Sequence, residues 1–180
     1  MRVEYTGAVN NAGVWTEENI PKYPFLLITE EGSPLLIIVN YVMHSEKMRY
    51  TGYSPKEEKV TRFTVEGLLE EMNKPLAGLR KANIRGEVCI PIEAKEINTP
   101  KPTRNLYVEE KPFFLNVEGN GLTLFDTQKV DTEEYIGYSL NRASLWSIRK
   151  TGLAQWVKAG KYQSLDNLTI EVSNDVILPE

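Results

Sequence analysis

The side chains that most often carry acid–base, nucleophilic or metal chemistry are scarce in this chain of 180 residues, which has one histidine and one cysteine. The single cysteine, Cys89, excludes an internal disulfide and a thiolate metal cluster within one chain. His44 lies two residues before Glu46, whose carboxylate could orient an imidazole base, but no nucleophile pattern accompanies the pair. We therefore interpret His44 as the polar end of a strand and Cys89 as a buried, unreactive thiol.

Carboxylates alone can support metal-dependent phosphoryl chemistry without histidine. The candidates are Asp126, Asp131, Glu133 and Glu134, which lie close together in the sequence. The same acidic run is also typical of the first turn of a helix, where the helix dipole favours negative charge. A carboxylate and metal-dependent enzyme acting on a phosphate-containing substrate, with His44 as a contributor, is one alternative. The sequence favours a non-catalytic chain without a metal or cofactor.

Two short motifs of serine penicillin-binding enzymes overlap in this chain. Ser147 and Lys150 match S-x-x-K, and Lys150, Thr151 and Gly152 match K-T-G. In those enzymes the motifs lie on separate elements that meet in the fold, whereas here one lysine would have to serve both. We interpret the match as chance. The glycines of the chain also match neither a dinucleotide-binding loop nor a P-loop.

Charge is distributed unevenly along the chain, although the formal net charge is only −4. Residues 135–165 contain five lysine or arginine residues and no acidic residue, and residues 72–86 contain four cations and no acidic residue. The first window also contains two tryptophans, Trp146 and Trp156. Because tryptophan and arginine are enriched at interaction hot spots, these windows indicate a working surface.

A helix over residues 140–151 would sort this surface into two arcs, because successive residues turn by about 100°. Arg142, Trp146 and Arg149 would then share one arc, opposite the apolar residues. The predicted binding residues are Arg142, Trp146, Arg149, Lys150 and Trp156, joined by Arg80, Lys81 and Arg85.

Three interpretations of this basic, aromatic segment compete. It could contact the phosphates and bases of a nucleic acid, or form a protein interface with a second copy or a larger assembly. Alternatively, the tryptophans belong to the core and the cations only extend from its rim. The acidic pI of about 5.3 argues against strong binding of free nucleic acid.

Apolar runs separated by turn signals predict strands, several of them in hairpins. The predicted strands cover residues 2–8, 24–29, 34–43, 47–53, 86–97, 113–117, 122–125 and 168–172. Helical spacing predicts a first helical stretch over residues 63–84, with Thr64 as N-cap and a second short helix after Pro75. Residues 131–160 are expected to form two or three further short helices. The sequence thus predicts an α+β fold with a largely antiparallel sheet and three or four short helices.

The length predicts a single domain over residues 1–180, with residues 173–180 as a loose C-terminal tail. The longest apolar run is too short to span a bilayer, and no signal-peptide region is recognised, so we expect no membrane contact. Low cysteine usage favours a reducing, cytoplasmic compartment. Few glutamines and methionines beside many glutamates and lysines resemble the composition of heat-adapted proteins.

These features predict a protein that works by binding, as a subunit of a homo-oligomer or larger complex. A protein partner or a second copy is expected, and a nucleic acid is the second candidate partner. A narrower version is an accessory subunit of an archaeal ribonucleoprotein assembly, such as an RNA-guided CRISPR effector complex. That version depends on the composition, the small size and the scarcity of catalytic residue types.

Overall fold

A computed structural model describes eight stretches of the chain: residues 2–4, 13–29, 34–42, 47–90, 111–119, 121–128, 134–159 and 162–179. Within them, the side chains of residues 2–4, 83–90, 154, 157–158 and 162–174 are not described. The strands are β1 (Arg2–Glu4), β2 (Phe25–Ile28), β3 (Leu35–Val42), β4 (Lys47–Ser54), β5 (Lys59–Phe63), β6 (Gly78–Ile90), β7 (Phe113–Val117), β8 (Gly121–Asp126), β9 (Glu134–Ser139), β10 (Ser144–Arg149) and β11 (Tyr162–Ile177). The helices are α1 (Val65–Met72), α2 (Lys150–Lys158) and a 3-10 turn at Glu17–Asn19.

The described chain is mostly sheet with few helices, which confirms an α+β fold. The sheet is mixed, because β1 pairs in parallel with β11 while the successive strands from β2 to β5 and from β7 to β10 pair antiparallel. The described residues contain two α-helices, so the expectation of three or four short helices is wrong for this part of the chain.

The chain divides into two compact units, and each has its own apolar core. Unit 1 comprises Met1–Gly86 and Asn167–Glu180, and unit 2 comprises Glu87–Asp166. The division falls within β6 and within β11, so both strands contribute residues to both units. A single domain over residues 1–180 stays a prediction.

The sheet of unit 1 has the strand order β6-β2-β3-β4-β5. The predicted hairpin of β2 and β3 is confirmed, with Phe25 opposite Ile37, and β4 extends it as expected. Directly opposed residues share a face of an antiparallel sheet, so Phe25, Ile37 and Gly52 lie on one face. Buried residues of this face, together with Leu68 and Met72 of α1, form the core of unit 1. We call it the α1 face.

Helix α1 begins at its predicted cap. The Thr64 hydroxyl accepts a hydrogen bond from the Gly67 backbone N–H at 3.1 Å, which satisfies one of the unpaired donors of the first turn. The helix ends at Met72, and a turn then leads into β6. The prediction of helix up to residue 84 is therefore wrong. Pro75 interrupts the helical spacing, and residues from Gly78 onward pair with β2 instead.

A side-chain amide fastens the N-terminal segment to the end of α1. Asn73 Oδ1 accepts a hydrogen bond from the Trp15 backbone N–H at 2.8 Å, and Asn73 Nδ2 donates to the Trp15 carbonyl at 3.0 Å. Both backbone groups of Trp15 are thus paired, while its indole is 2% exposed in the core. This clamp positions residues 13–23 along the α1 face.

Unit 2 contains the strands β10-β9-β8-β7 in that order, followed by the first residues of β11, where Tyr162 pairs with Val117. The predicted hairpin of β7 and β8 is confirmed, and Gly119 and Gly121 take the positive φ values of 74° and 67° that its turn requires. One face of these strands packs against Leu153 of α2 to form the core of unit 2.

Residues 134–149 form a β-hairpin, so the prediction of helices across residues 131–160 is wrong there. Strands β9 and β10 pair antiparallel around a turn in which Ala143 has a φ of 48°. Tyrosine, tryptophan and isoleucine recur at alternate positions in both strands and favour a pleated surface. A helix is confirmed only at residues 150–158, and residues 131–133 lie outside the described part.

The last strand is longer than expected. Strand β11 continues to Ile177, which packs against the core of unit 1. The expectation of a loose tail from residue 173 is wrong for residues 173–177. Neither described α-helix is long and apolar enough to cross a membrane.

Candidate functional site

Trp146 lies on a strand and not on the predicted helix over residues 140–151. Because strand side chains alternate between faces, Trp146 shares the core face of β10 with Ile148, and Arg149 lies on the other face. The indole packs edge-on against Phe125, with ring centroids 5.4 Å apart and an interplanar angle of 76°. Its Nε1 is buried without a hydrogen-bond partner. The helical arc that grouped Trp146 with Arg149 is therefore wrong.

Gly137 makes this contact possible. It lies on β9 directly opposite Trp146 on one side and Phe125 on the other. A Cβ atom at this position would lie 3.0 Å from Trp146 Nε1 and 3.1 Å from Thr123 Cγ2. Only glycine therefore leaves room for the indole to cross β9 and reach Phe125.

The predicted cations of unit 2 point to different places. Arg142 is exposed in the β9–β10 turn, where its guanidinium donates to the Gly119 carbonyl oxygen and so connects two hairpins. Arg149 is exposed at the end of β10. The Lys150 ammonium lies 5.3 Å from the centroid of the Tyr135 ring, in a cation–π contact. Arg142 and Lys150 thus have roles within the fold.

Trp156 has the exposed indole that the sequence predicted for this segment. Helix α2 is fixed to the core by Leu153, which is 1% exposed, whereas Trp156 is 42% exposed. Gln155 beside it is also exposed. Arg142, Arg149 and Trp156 are therefore the predicted binding residues of unit 2 with exposed side chains, and their binding role stays a prediction.

The predicted residues of unit 1 do not form one surface. Arg80 is 7% exposed on β6, opposite Leu26. Lys81 follows it on the other face and is exposed, with its ammonium 5.6 Å from the centroid of the Tyr23 ring. The side chain of Arg85 lies outside the described part of the chain. Because Arg80 and Lys81 are consecutive residues of a strand, their side chains lie on opposite faces of the sheet.

Two of the candidate carboxylates for metal chemistry, Asp126 and Glu134, belong to the described residues. Asp126 is 8% exposed, and its Oδ1 accepts a hydrogen bond from the Gln128 backbone N–H at 3.0 Å. Glu134 is exposed at the start of β9. Among the described residues, no group of three or more His, Cys, Asp or Glu is arranged to hold a metal ion. His44, Asp131 and Glu133 and the side chain of Cys89 lie outside the described residues.

A groove of about 530 Å³ in unit 1 was not predicted. It lies between residues 16–23 and the end of the chain at residues 177–178. Its apolar lining comes from Ile20, Pro21, Tyr23, Ile177 and Leu178, and Glu18 and Lys22 contribute polar groups. We call it the terminal groove.

The two segments that line the terminal groove carry exposed apolar side chains. Tyr23 (41% exposed) and Leu178 (51%) line the groove itself, and Val14 (72%) and Val176 (39%) lie on the same two segments. The two segments that carry them touch, since Pro179 Cγ occupies the space that a Cβ atom at Gly13 would need. No local pattern could have revealed this surface, because the two segments lie at opposite ends of the chain.

The terminal groove and the exposed Trp156 are thus two of the apolar surfaces that the described residues leave accessible, and Tyr41 and Leu76 are also exposed. No protein-family model matches the sequence, and no curated protein and no solved structure was found to be similar to it.

Proposed function

We propose that this chain is a non-catalytic binding subunit that assembles with a second copy of itself through the terminal groove. One observation carries the proposal: two large, exposed apolar side chains, Tyr23 and Leu178, line one groove, and Val14 and Val176 are exposed on the same two touching segments. Contiguous exposed apolar surface on a folded protein typically marks an interaction site.

The composition of the surface supports a protein contact. Apolar side chains occupy its centre, and charged residues such as Glu18 and Lys22 belong to its lining. Interfaces between proteins combine an apolar centre with a polar rim in the same way. The cation–π contact of Lys81 with Tyr23 adds a charged group beside the apolar centre.

A second copy is the occupant that this geometry favours. A twofold dimer uses the same patch on both subunits, so the patch must contain both projecting and concave parts. Val14 and Leu178 are exposed on the same two segments that enclose the groove. An apolar side chain of one copy can therefore fill the groove of the other.

The matched substitutions Leu178→Asp and Leu76→Asp test this contact. Both leucines belong to unit 1 and are about half exposed, at 51% and 46%, but Leu76 does not line the groove. We expect light scattering after size exclusion to give a multiple of the 20.5 kDa chain mass for the wild type. Leu178→Asp should give the monomer, and Leu76→Asp should behave like the wild type.

High salt should leave the assembly intact, because an apolar contact is not screened by ions. Both variants should keep a free energy of unfolding within about 0.5 kcal/mol of the wild type, as exposed sites usually do. A monomeric wild type at high micromolar concentration would refute self-assembly. Equal dissociation by both variants would show that the groove is not the contact.

The larger complex, its nucleoprotein version and the enzyme alternative are proposals that depend on the sequence. In a larger complex, Arg149 and Trp156 would supply a second contact surface. The nucleoprotein assignment, with its archaeal RNA-guided CRISPR version, depends on composition. The carboxylate enzyme remains the alternative from another functional class, and the cytoplasmic location is likewise an expectation from the sequence.

A further inference from the structure

Three exposed cations gather on the face of the unit 1 sheet that faces away from α1. Lys47 and Arg49 lie two positions apart on β4, so they share a face. Arg49 pairs with Asn40, and Arg62 of β5 pairs with Thr51, which places all three cations on the same side. Each of the three side chains is exposed. We call this set the basic corner.

The register fixes the spacing of the charges. Two residues along a strand separate Lys47 from Arg49 by about 7 Å between Cα atoms. Arg49 and Arg62 are diagonal neighbours on adjacent strands, which places them about 7–8 Å apart. The basic corner is therefore a series of cations at nearly even intervals.

No described residue neutralises the charge of Lys47 or Arg49. In the part of the chain that the structure describes, no carboxylate pairs with Lys47 or Arg49. Asn40 lies directly opposite Arg49, yet its buried Oδ1 has no hydrogen-bond partner. Arg49 thus leaves even the acceptor nearest in register unused. An external anion can therefore pair with Lys47 or Arg49 without displacing a described carboxylate.

Strands β2 to β5 contain no acidic residue. Among the described acidic residues of unit 1, Glu57 and Glu58 lie in the β4–β5 turn, and the charge of Glu58 acts on Tyr53, which shares the face of the basic corner. Glu66, Glu70 and Glu71 belong to α1, which packs on the other face through Leu68 and Met72. Because charges are screened within about 8–10 Å at physiological salt, the local field at the basic corner depends on the groups beside it more than on the net charge of −4.

We propose that the basic corner binds the phosphate backbone of a single-stranded nucleic acid. Guanidinium groups match phosphate oxygens with two parallel hydrogen bonds, and lysine adds a point charge. A row of evenly spaced cations suits a polymer with one negative charge per repeat. The inference concerns another surface and another partner than the terminal groove, and it does not depend on self-assembly.

The side chains on this face indicate whether the basic corner distinguishes between bases. Tyr53, the aromatic residue of β4 on this face, is 3% exposed and cannot stack on a base. Recognition therefore involves phosphates and not base identity, which makes the affinity strongly dependent on salt. RNA and DNA strands of equal length should bind similarly.

Fluorescence anisotropy with labelled single-stranded RNA and DNA oligonucleotides of mixed sequence tests the proposal. The variant Lys47→Glu/Arg49→Glu should bind at least about tenfold more weakly than the wild type at low salt. Its plot of log affinity against log salt should be shallower by about 1.4, at about 0.7 per lost phosphate contact on a single strand.

Lys56→Glu/Lys59→Glu is the matched control, because it makes the same charge change on the same hairpin. Lys56 is in the β4–β5 turn, and Lys59 lies on the α1 face opposite Ser54. We expect its affinity to stay within about threefold of the wild type. The neutral variant Arg49→Gln/Arg62→Gln should also weaken binding, and it removes the two charges without adding carboxylates that could disturb folding. Thermal melts should show that all variants are folded.

Two results would overturn the proposal. The first is that the wild type binds neither oligonucleotide at low salt. Binding of phosphatidylserine vesicles or polyglutamate instead would also count against the proposal. The second is an equal loss of affinity in the corner and control variants, which would assign binding to net charge alone.

Discussion

Buried aromatic residues show how strongly single side chains depend on distant neighbours in this protein. Trp146 reaches Phe125 across Gly137, two strands away, and keeps its indole nitrogen buried without a partner. An unpaired buried donor costs free energy, so the tight packing around Gly137 has to offset that cost. Residues of this kind contribute to the core and not to a binding surface.

Two glycine-to-alanine substitutions should have opposite effects on stability. At Gly137 the new Cβ would meet Trp146 Nε1 at 3.0 Å, and overpacking of this kind should cost about 1–3 kcal/mol. At Gly152 in α2, the Cβ would meet Ile148 Cγ1 at 3.5 Å, an ordinary contact, and alanine should add about 0.5–1 kcal/mol of helix stability. Urea unfolding measures both. A stable Gly137→Ala variant would contradict the close approach of the indole.

Tyr53 should make the protein sensitive to alkaline pH. Burial, with a smaller contribution from the charge of Glu58, raises the pKa of this phenol from 10.0 to about 12. Between these values the unfolded chain releases the proton while the folded chain keeps it. Stability is therefore complete below pH 10 and falls as the pH rises toward 12.

Urea unfolding of the wild type and Tyr53→Phe across this pH range checks the assignment. The variant should lose less stability between pH 10 and pH 12, because it has no phenol at this position. Burial also raises the pKa of Tyr50 and Tyr135, so part of the dependence should persist. Parallel curves for the two proteins would exclude Tyr53 as the source.

At the scale of elements, signals confined to a few neighbouring residues were reliable. The β2–β3 and β7–β8 hairpins and the N-cap of α1 were all predicted, because an apolar run, a turn and a capping hydroxyl each act locally. The β9–β10 hairpin was missed. Its leucine and isoleucine spacing also fits a helix, and pairing with β8 adds to the strand preference of its aromatic and β-branched residues.

Removal of the α1 cap should weaken unit 1 measurably. In Thr64→Ala the Gly67 backbone N–H loses its acceptor, which should cost about 1 kcal/mol. The control Thr61→Ala alters an exposed threonine of β5 and should stay within about 0.5 kcal/mol. Thermal unfolding compares the two. Similar losses in both variants would mean that the hydroxyl does not cap the helix.

At the scale of the whole molecule, surfaces arise that no single strand or helix contains. The terminal groove combines residues near both ends of the chain, and the basic corner combines the two strands of one hairpin. The first is apolar and the second cationic, so salt should affect them in opposite ways: it should leave self-assembly intact and weaken nucleic acid binding.

The predicted binding surface illustrates the same limit. A helical period grouped Arg142, Trp146 and Arg149, but Trp146 and Arg149 lie on opposite faces of a strand. Arg80 and Lys81, which share a stretch without acidic residues, also lie on opposite faces of a strand. Trp156 alone of the two tryptophans in residues 135–165 has a large exposure. Pairing with β9 and with β2 fixed the strand period at these positions, and β2 is distant in sequence from its partner β6.

The sequence by itself determined the α+β class, the two local hairpins, the start of α1 and the scarcity of catalytic residue types, because these depend on composition and on contacts between near neighbours. Tertiary structure decided which face each cation occupies, which indole is exposed and where apolar side chains meet. These outcomes depend on strand register and on contacts between residues far apart in the chain, and no local free-energy preference specifies them.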